Sequence, residues 1–155
     1  MRRFPPRLVK TFARFLALLL ASLVAFSARA ADDLKGMAGT WQCTSAELAG
    51  QPMPPPVLKS ISMKIDGSSY LVVVMTEKGP SPDKGTIKLE PTASPKGMTV
   101  TGVEGPNAGK IFPSIYELNG DTLRICYDLS GTKLPTEFKT APGTKLYLVT
   151  YQRAK

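Results

Sequence analysis

The most constraining feature of this chain is the stretch from Ile115 to Cys126, in which Asn119-Gly120 separates two runs of alternating apolar and polar residues. Asn-Gly tolerates the positive φ angles of the tight turns that join antiparallel strands. Alternation with a period of two is typical of a strand that buries one face. The stretch therefore predicts a β-hairpin that turns through Asn119 and Gly120, and it favours an all-β fold.

Further short apolar runs follow the same pattern, and Gly and Pro residues separate them. No stretch after residue 30 has a convincing helical period, so the only helix expected is a single turn near residues 56–59. Residues 79–82, with the sequence Gly-Pro-Ser-Pro, are expected to form a loop. The pattern predicts eight strands, at about residues 39–48, 60–66, 69–76, 85–90, 98–103, 110–118, 121–127 and 145–153.

Eight short strands joined in sequence by tight turns predict a small antiparallel up-and-down barrel. Closing the sheet removes the two exposed edges that an open sheet would keep. A β-sandwich of two sheets is the alternative architecture.

The first 30 residues have the pattern of a secretory signal peptide. A basic leader ending at Arg14 precedes an apolar core, Phe15–Phe26, and Ala28-Arg29-Ala30 supplies the small residues of a cleavage site. At ~1.5 Å per residue the core reaches only ~18 Å, too short for the ~30 Å of membrane hydrocarbon. We expect cleavage after Ala30 and a periplasmic or secreted protein with no membrane span. A single domain over residues 31–155 would follow, with a frayed start at Asp32-Asp33.

The charge of the chain lies mostly in this leader. Six of the 20 Lys and Arg residues and none of the 12 acidic residues precede residue 31, so cleavage lowers the net charge from +8 to +2. The remaining basic residues are dispersed. Nothing in the charge pattern therefore indicates a nucleic-acid partner.

Catalytic and metal-binding patterns are absent from the sequence. The chain has no histidine, which removes Ser-His and Cys-His nucleophile activation and most zinc sites. Its carboxylates are scattered and none has the spacing of a calcium loop. We predict no catalytic residue, no metal and no cofactor, and therefore a protein that is not an enzyme.

Cys43 and Cys126 are the only cysteines. An exported chain with two cysteines invites one disulfide. However, Cys43 shares the face of Trp41, whereas Cys126 alternates out of phase with its apolar neighbours. If both apolar sets point inward, the thiols lie on opposite faces of the sheet. The sequence leaves a disulfide open but favours two unpaired, partly buried thiols.

Several short motifs together resemble one family. They are Gly39-Thr40-Trp41, Ser45-Ala46-Glu47, Gly50-Gln51-Pro52-Met53-Pro54, Gly105-Pro106-Asn107, Gly109-Lys110, Ile115-Tyr116-Glu117-Leu118, Gly120-Asp121-Thr122-Leu123, Cys126 and Pro135-Thr136-Glu137-Phe138. The combination is similar to the planctomycete-type, lipocalin-like exported domain, which is functionally uncharacterised, over roughly residues 34–153. The resemblance implies a small exported β-barrel and assigns no activity, substrate or catalytic residue.

The wider similarity to lipocalins rests on Gly39, Trp41 and Arg153. In lipocalins a Gly-x-Trp on the first strand places the indole at the closed end of the barrel, and a basic residue from the last strand lies across it. The resemblance implies structural roles for Trp41, Gly39 and Arg153, as the turn does for Gly120.

We hypothesise that the chain is a non-enzymatic module that binds a small apolar or amphipathic ligand at the barrel mouth. Tyrosines on the strands would line such a mouth. The candidate ligand-binding residues are Tyr116, Tyr127, Arg124 and Glu137, with Tyr147 and Tyr151 as further lining. The alternative is a module that binds an extracytoplasmic protein, in the manner of a proteinase inhibitor.

The long connection Leu129–Thr144 is a second candidate contact surface, because it exceeds the usual length of a hairpin loop. Alternatively, Leu134 and Phe138 plug one end of the barrel. Glu137 in this loop is also expected to pin it by pairing with Arg124 or Lys139.

Overall fold

The computed structural model describes residues 27–155. Residues 1–26, which hold most of the predicted signal peptide, lie outside the described part. Helix α1 covers residues 27–37, and α2 is Pro55–Ser60. The strands are β1 (Gly39–Leu48), β2 (Gln51–Pro52), β3 (Ile61–Asp66), β4 (Ser69–Thr76), β5 (Gly79–Glu90), β6 (Gly97–Glu104), β7 (Ile111–Asn119), β8 (Thr122–Asp128) and β9 (Leu146–Arg153).

Antiparallel pairing runs in the order β2-β1-β3-β4-β5-β6-β7-β8-β9, and β1 also pairs with β9. The last pairing closes β1 and β3–β9 into an eight-stranded barrel. It extends from Trp41 opposite Arg153 to Leu48 opposite Tyr147, with a register shift between Cys43 and Ser45. The short β2 continues the β1 edge as an extra strand. The predicted up-and-down barrel is therefore confirmed, and the sandwich alternative is wrong.

The two ends of the barrel differ. What we call the closed end holds the tight turns at residues 67–68 and 120–121 and the connection at residues 91–96, and α1 lies there with Asp33 bound to Lys96. At the opposite, open end lie β2, α2 and the connections 77–78, 105–110 and 129–145. Within the described residues, no helix combines the length and the apolar character needed to cross a membrane.

Side chains alternate between the barrel interior and the outer wall, as the period of two requires. Trp41, Ile65, Leu123 and Val149 are interior residues with almost no exposed surface. Cys43 also belongs to this core, whereas Cys126 lies on the outer wall, where its Sγ is 3.8 Å from the carbonyl oxygen of Lys139. Both thiols are free and buried, as their opposite phases predict.

Helix α1 is not predicted by the sequence analysis, and it overturns the expectation of a frayed start. Met37 is fully buried, and Ala30 and Leu34 pack against the core. Asp33 binds Lys96 and Tyr116 on the barrel. The apolar side chains of α1 are anchored at the closed end, so tertiary packing stabilises a helix whose own pattern is weak.

Two local expectations need correction. Residues 79–82 are not a loop but the first residues of β5. Along them β5 pairs with β4 only, because its pairing with β6 begins at Lys84. Pro80 and Pro82, which lack a backbone N–H, therefore need no donor on the β6 side. The β7–β8 turn is shifted by one residue. Asn119 pairs with Thr122, and Gly120, with φ of 58°, takes the first central position of the turn.

Candidate functional site

A cavity of about 270 Å³ lies inside the open half of the barrel. Side chains from β3 to β9 contribute to its wall, and most of them are apolar. The apolar part of the wall lies deeper in the barrel, and a few polar side chains lie nearer the open end. The lining is Ile61, Met63, Tyr70, Val72, Val74, Ser81, Asp83, Ile87, Met98, Val100, Pro106, Asn107, Phe112, Ile125, Tyr127, Leu129, Tyr147 and Tyr151.

The cavity follows from how the sequence distributes side-chain size along the barrel. The closed half is filled by large interior residues, among them Trp41 and Tyr116, both almost completely buried. In the open half, β4 turns the smaller Val72 and Val74 toward the interior. An eight-stranded barrel is just wide enough to be filled by large side chains or to hold one small ligand. Because Val72 and Val74 are small, they do not fill the open half, and space for one small ligand remains.

One acidic residue, Asp83 on β5, lies in the cavity wall and is 9 % exposed. Its Oδ2 accepts hydrogen bonds from the Tyr70 hydroxyl and from Nδ2 of Asn107, both at 3.2 Å. Its Oδ1 accepts a 2.9 Å bond from the backbone N–H of Asn107. Burial, the charge of Asp83 and the hydrogen bond from the Tyr70 hydroxyl to Asp83 raise the pKa of Tyr70. The hydroxyl therefore stays protonated and remains a donor.

Three more tyrosines, Tyr127, Tyr147 and Tyr151, line the cavity. The rings of Tyr127 and Tyr147 stack with centroids 5.8 Å apart. Burial raises the pKa of all three hydroxyls, which are therefore neutral. Among the described residues none of these hydroxyls has a protein hydrogen-bond partner. They are available as donors and acceptors to a molecule in the cavity.

The open end carries a rim of exposed apolar side chains. All the large apolar side chains of the described residues that are exposed by more than a third belong to strand ends or connections at this end. We call this set the apolar rim: Leu48, Val57, Met75, Val103, Ile111, Leu129 and Leu134.

The ligand-binding candidates predicted from the sequence do not all meet at the cavity. Tyr127 lines it, as do Tyr147 and Tyr151. Tyr116 points into the barrel but at the closed end, where its hydroxyl donates to Asp33 at 2.6 Å. Arg124 lies on the outer wall and pairs with Glu117 at 2.9 Å.

Leu134 and Phe138 of the long loop Leu129–Thr144 do not plug the barrel end, and Glu137 forms no ion pair with Arg124 or Lys139 among the described residues. The loop crosses the outer wall of β8, where the Phe138 ring lies 4.4 Å from the guanidinium carbon of Arg124. Leu134 is largely exposed, and Glu137 is an exposed loop residue. The Thr140 hydroxyl donates to Glu47 on β1 and accepts a 2.8 Å bond from the N–H of Gly50. Phe138 and Thr140 thus hold the loop against the wall.

This loop also encloses a crevice of about 570 Å³, which is lined largely by polar and charged loop residues. Asp128, at its base, binds the N–H groups of Ser130, Thr132 and Lys133. Because the crevice wall is more polar than that of the interior cavity and is formed mainly by one surface loop, we regard the smaller interior cavity as the better ligand site.

At the closed end, the guanidinium carbon of Arg153 lies 4.3 Å from the centre of the Trp41 ring. Arg153 donates to the carbonyl oxygens of Gly36 at 2.6 Å and Ala38 at 2.7 Å, and the Trp41 indole N–H donates to that of Met37 at 2.8 Å. The three carbonyl groups lie at the C-terminal end of α1, where carbonyl oxygens have no hydrogen-bond partner within the helix. The Trp41–Arg153 stack therefore also caps the helix.

Gly39 allows this stack to form. A Cβ at this position would lie 3.0 Å from a guanidinium nitrogen of Arg153, and the φ of 126° is one that residues with side chains rarely adopt. Within residues 27–155, no group of three or more His, Cys, Asp or Glu side chains is arranged to hold a metal ion.

The asparagine and tyrosine partners of Asp83 were missed by the sequence analysis. Asp83 lies between two prolines and a lysine in a segment expected to be loop, and Tyr70 and Asn107 are 37 positions apart in the chain. The only signal was the strict alternation of Asp83, Gly85, Ile87 and Leu89, which places an acid in phase with a buried face.

Comparison of the chain with protein-family models, with curated proteins and with solved structures gives no significant match. The barrel architecture is therefore established by its strand pairing alone. The resemblance to the lipocalin-like exported domain stays a prediction from the residues that carry it.

Proposed function

We propose that this protein binds a small amphipathic molecule in the interior cavity, without converting it chemically, outside the cytoplasm. The observation that carries the proposal is the cavity itself: a largely apolar space inside an otherwise well-packed barrel, at the end where the interior opens toward the rim. Concave, mainly apolar sites with a few convergent polar groups are typical of small-molecule binding.

The size of the cavity limits the ligand. An apolar cavity of about 150 Å³ holds benzene, so about 270 Å³ has room for roughly ten non-hydrogen atoms. The polar groups Asp83, Asn107 and Ser81 lie on residues toward the open end, whereas Met98 and Val100 continue the apolar wall inward. This arrangement favours a ligand with one polar end and one apolar end.

The extracytoplasmic location rests on the leader of residues 1–30, whose pattern is that of a cleaved secretory signal.

Titration calorimetry with octanol, an amphipathic molecule of matching size, tests the binding proposal. Val72→Phe places an aromatic ring in the cavity and is expected to abolish octanol binding, since Val72 lines the wall. Val73→Phe is the matched control, because Val73 is its neighbour on the opposite face of β4 and is not part of the lining. Unchanged octanol binding to folded Val72→Phe would refute the proposal, as would failure of octanol, octylamine and octanoate alike to bind the unmodified protein.

A second candidate function is a protein-interaction module, and the apolar rim favours it. Exposed apolar clusters that are ringed by polar residues mark interaction sites. Val103 and Ile111 lie at the adjoining ends of β6 and β7. Val103→Lys combined with Ile111→Lys should abolish recovery of a protein partner from the producing cells while leaving octanol binding unchanged. A partner recovered equally well by the double variant would exclude the rim as its contact.

A further inference from the structure

We propose that the molecule bound in the cavity carries a protonated amine, which pairs with the carboxylate of Asp83. This inference rests on the proposed binding function and adds the chemical class of the ligand.

The Asp83 carboxylate has hydrogen-bond donors but no cation. Its three donors, the Tyr70 hydroxyl and the two N–H groups of Asn107, are all neutral. The ion pairs of the described residues use Lys84 with Glu104, Lys96 with Asp33, Arg124 with Glu117 and Arg153 with Asp121, and none includes Asp83. A carboxylate buried this deeply needs either a positive charge or more hydrogen bonds, as Asp128 shows with five neutral donors where Asp83 has three. The unmatched charge points to a cation supplied from outside the chain.

The carboxylate also has capacity for another donor. Two carboxylate oxygens offer about four acceptor positions, and three are used. The remaining capacity lies on a residue of the cavity wall. A ligand ammonium group that reaches Asp83 would gain a charge-assisted hydrogen bond, which is stronger than a neutral one.

The surrounding side chains suit an ammonium group. Tyr70 and Tyr127 line the same cavity, and the charge of Asp83 contributes, after burial and the neighbouring tyrosines, to the raised pKa of Tyr127. Neutral phenol oxygens can accept hydrogen bonds from those N–H groups of the ligand ammonium that do not bind Asp83. Aromatic faces attract ammonium groups as well.

The apolar wall determines the rest of the ligand. Ile87, Met98, Val100 and Ile125 continue the cavity beyond Asp83 toward the closed end. An amine at Asp83 therefore directs a short alkyl or aryl tail against these residues. The expected ligand class is a small primary amine with an apolar tail, of roughly ten non-hydrogen atoms in all, by comparison with cavities of known content.

Three probes of equal chain length test the inference: octylamine, octanol and octanoate, titrated into the protein at neutral pH. We expect octylamine to bind roughly tenfold or more tightly than octanol, because a close charge pair in a buried site contributes at least that much. Octanoate is expected to bind most weakly, since its charge repels Asp83. Equal binding of octylamine and octanol overturns the amine inference and leaves the proposed function standing. Failure of all three probes overturns the proposed function itself.

Asp83→Asn keeps the shape of the side chain and removes its charge. It should reduce octylamine binding to the level of octanol while octanol binding is retained. Glu104→Gln is the matched control, because Glu104 is an exposed acid at the same end of the barrel, paired with Lys84. The inference is wrong if folded Asp83→Asn keeps the preference for the amine, or if Glu104→Gln loses it.

Asp83 also holds Asn107 in place, so Asp83→Asn can alter the structure around the cavity. A second measurement therefore uses the unmodified protein. Nuclear Overhauser contacts from the methylene next to the octylamine nitrogen should reach the Tyr70 ring and the Asn107 amide in the unmodified protein. Contacts from that methylene to the Met98 methyl group instead would place the amine at the apolar end and overturn the inference.

Discussion

The Tyr116 hydroxyl donates a 2.6 Å hydrogen bond to Oδ2 of Asp33, and Nζ of Lys96 lies 2.8 Å from the same oxygen. Burial raises the pKa of Asp33, but the hydrogen bonds and the charge of Lys96 outweigh it, so the pKa lies below its usual value. The ionised carboxylate thus joins α1 to the barrel at neutral pH.

We predict that Asp33→Ala destabilises the protein by about 1–2 kcal/mol, the lower part of the range for hydrogen bonds to charged groups, because Asp33 is partly exposed. The urea midpoint measures the loss. Asp32→Ala is the matched control, since Asp32 is the exposed neighbour on the same helix and should be neutral. Equal midpoints for the two variants would show that α1 is not held through Asp33.

Asp128 is expected to make stability depend on pH. Its residue is 5 % exposed, and burial by itself would raise its pKa, but hydrogen bonds from Ser130, Lys133 and Thr132 lower the pKa to about 2. Because the folded pKa is depressed, the stabilisation is complete above about pH 4 and is lost as the pH falls toward 2. At about 1.4 kcal/mol per pKa unit it amounts to something on the order of 2 kcal/mol.

Urea midpoints of the unmodified protein and of Asp128→Asn, measured at neutral pH and near pH 2, check this prediction. The stability difference between the two proteins should shrink at the lower pH. Asp66→Asn replaces an exposed acid of β3 and is the control. Its urea midpoint should fall between neutral pH and the lower pH by as much as that of the unmodified protein. A pH dependence that survives in Asp128→Asn would assign it to other carboxylates.

Trp41 is the only tryptophan, so its fluorescence reports on the closed end alone. Because Trp41 is fully buried, we predict an emission maximum well to the blue of tryptophan in water, with a red shift on unfolding. Trp41→Ala should destabilise by about 3–5 kcal/mol, as large aromatic deletions in cores do. Trp41→Phe is the milder variant if the alanine protein does not fold. A water-like emission maximum in the folded protein would contradict the structure.

Two turn positions with positive φ should respond in opposite directions. Ala49 has φ of 52° in the β1–β2 turn, a conformation that costs alanine about 1 kcal/mol relative to glycine, so Ala49→Gly should stabilise by up to that amount. Gly120 has φ of 58° with open space around its missing Cβ, so Gly120→Val should destabilise by about 1 kcal/mol or more through backbone strain alone. Thermal midpoints measure both. Shifts of the same sign would contradict the assigned turns.

The strands and the closed barrel could be predicted from the sequence because alternation is a local signal. Ile61, Met63 and Ile65 in β3 show this, since each is buried and the residues between them are not. The placement of Arg153 over Trp41 could be expected only from the resemblance to lipocalins. Helix α1 could not be expected from its own residues, because its position depends on contacts with Tyr116 and Arg153, far along the chain.

The candidate site was predicted only in part, for a similar reason. Tyr127 was expected near the barrel mouth because it alternates with buried residues. The cluster of Asp83, Tyr70 and Asn107 depends on how β4, β5 and the β6–β7 connection approach one another in space. Arg124 and Glu137 carry charges suited to a ligand site, but the phase of β8 places Arg124 outside the barrel.

The strand that closes the barrel, β9, follows every other strand of the described residues and pairs with β1, the first strand. A ribosome therefore makes every other strand before the sheet can close. Until β9 is in place, β1 and β8 each present an unpaired edge. Closure of the barrel therefore depends on one pairing between the two barrel strands that lie farthest apart in the sequence, a contact with a high cost in loop-closure entropy.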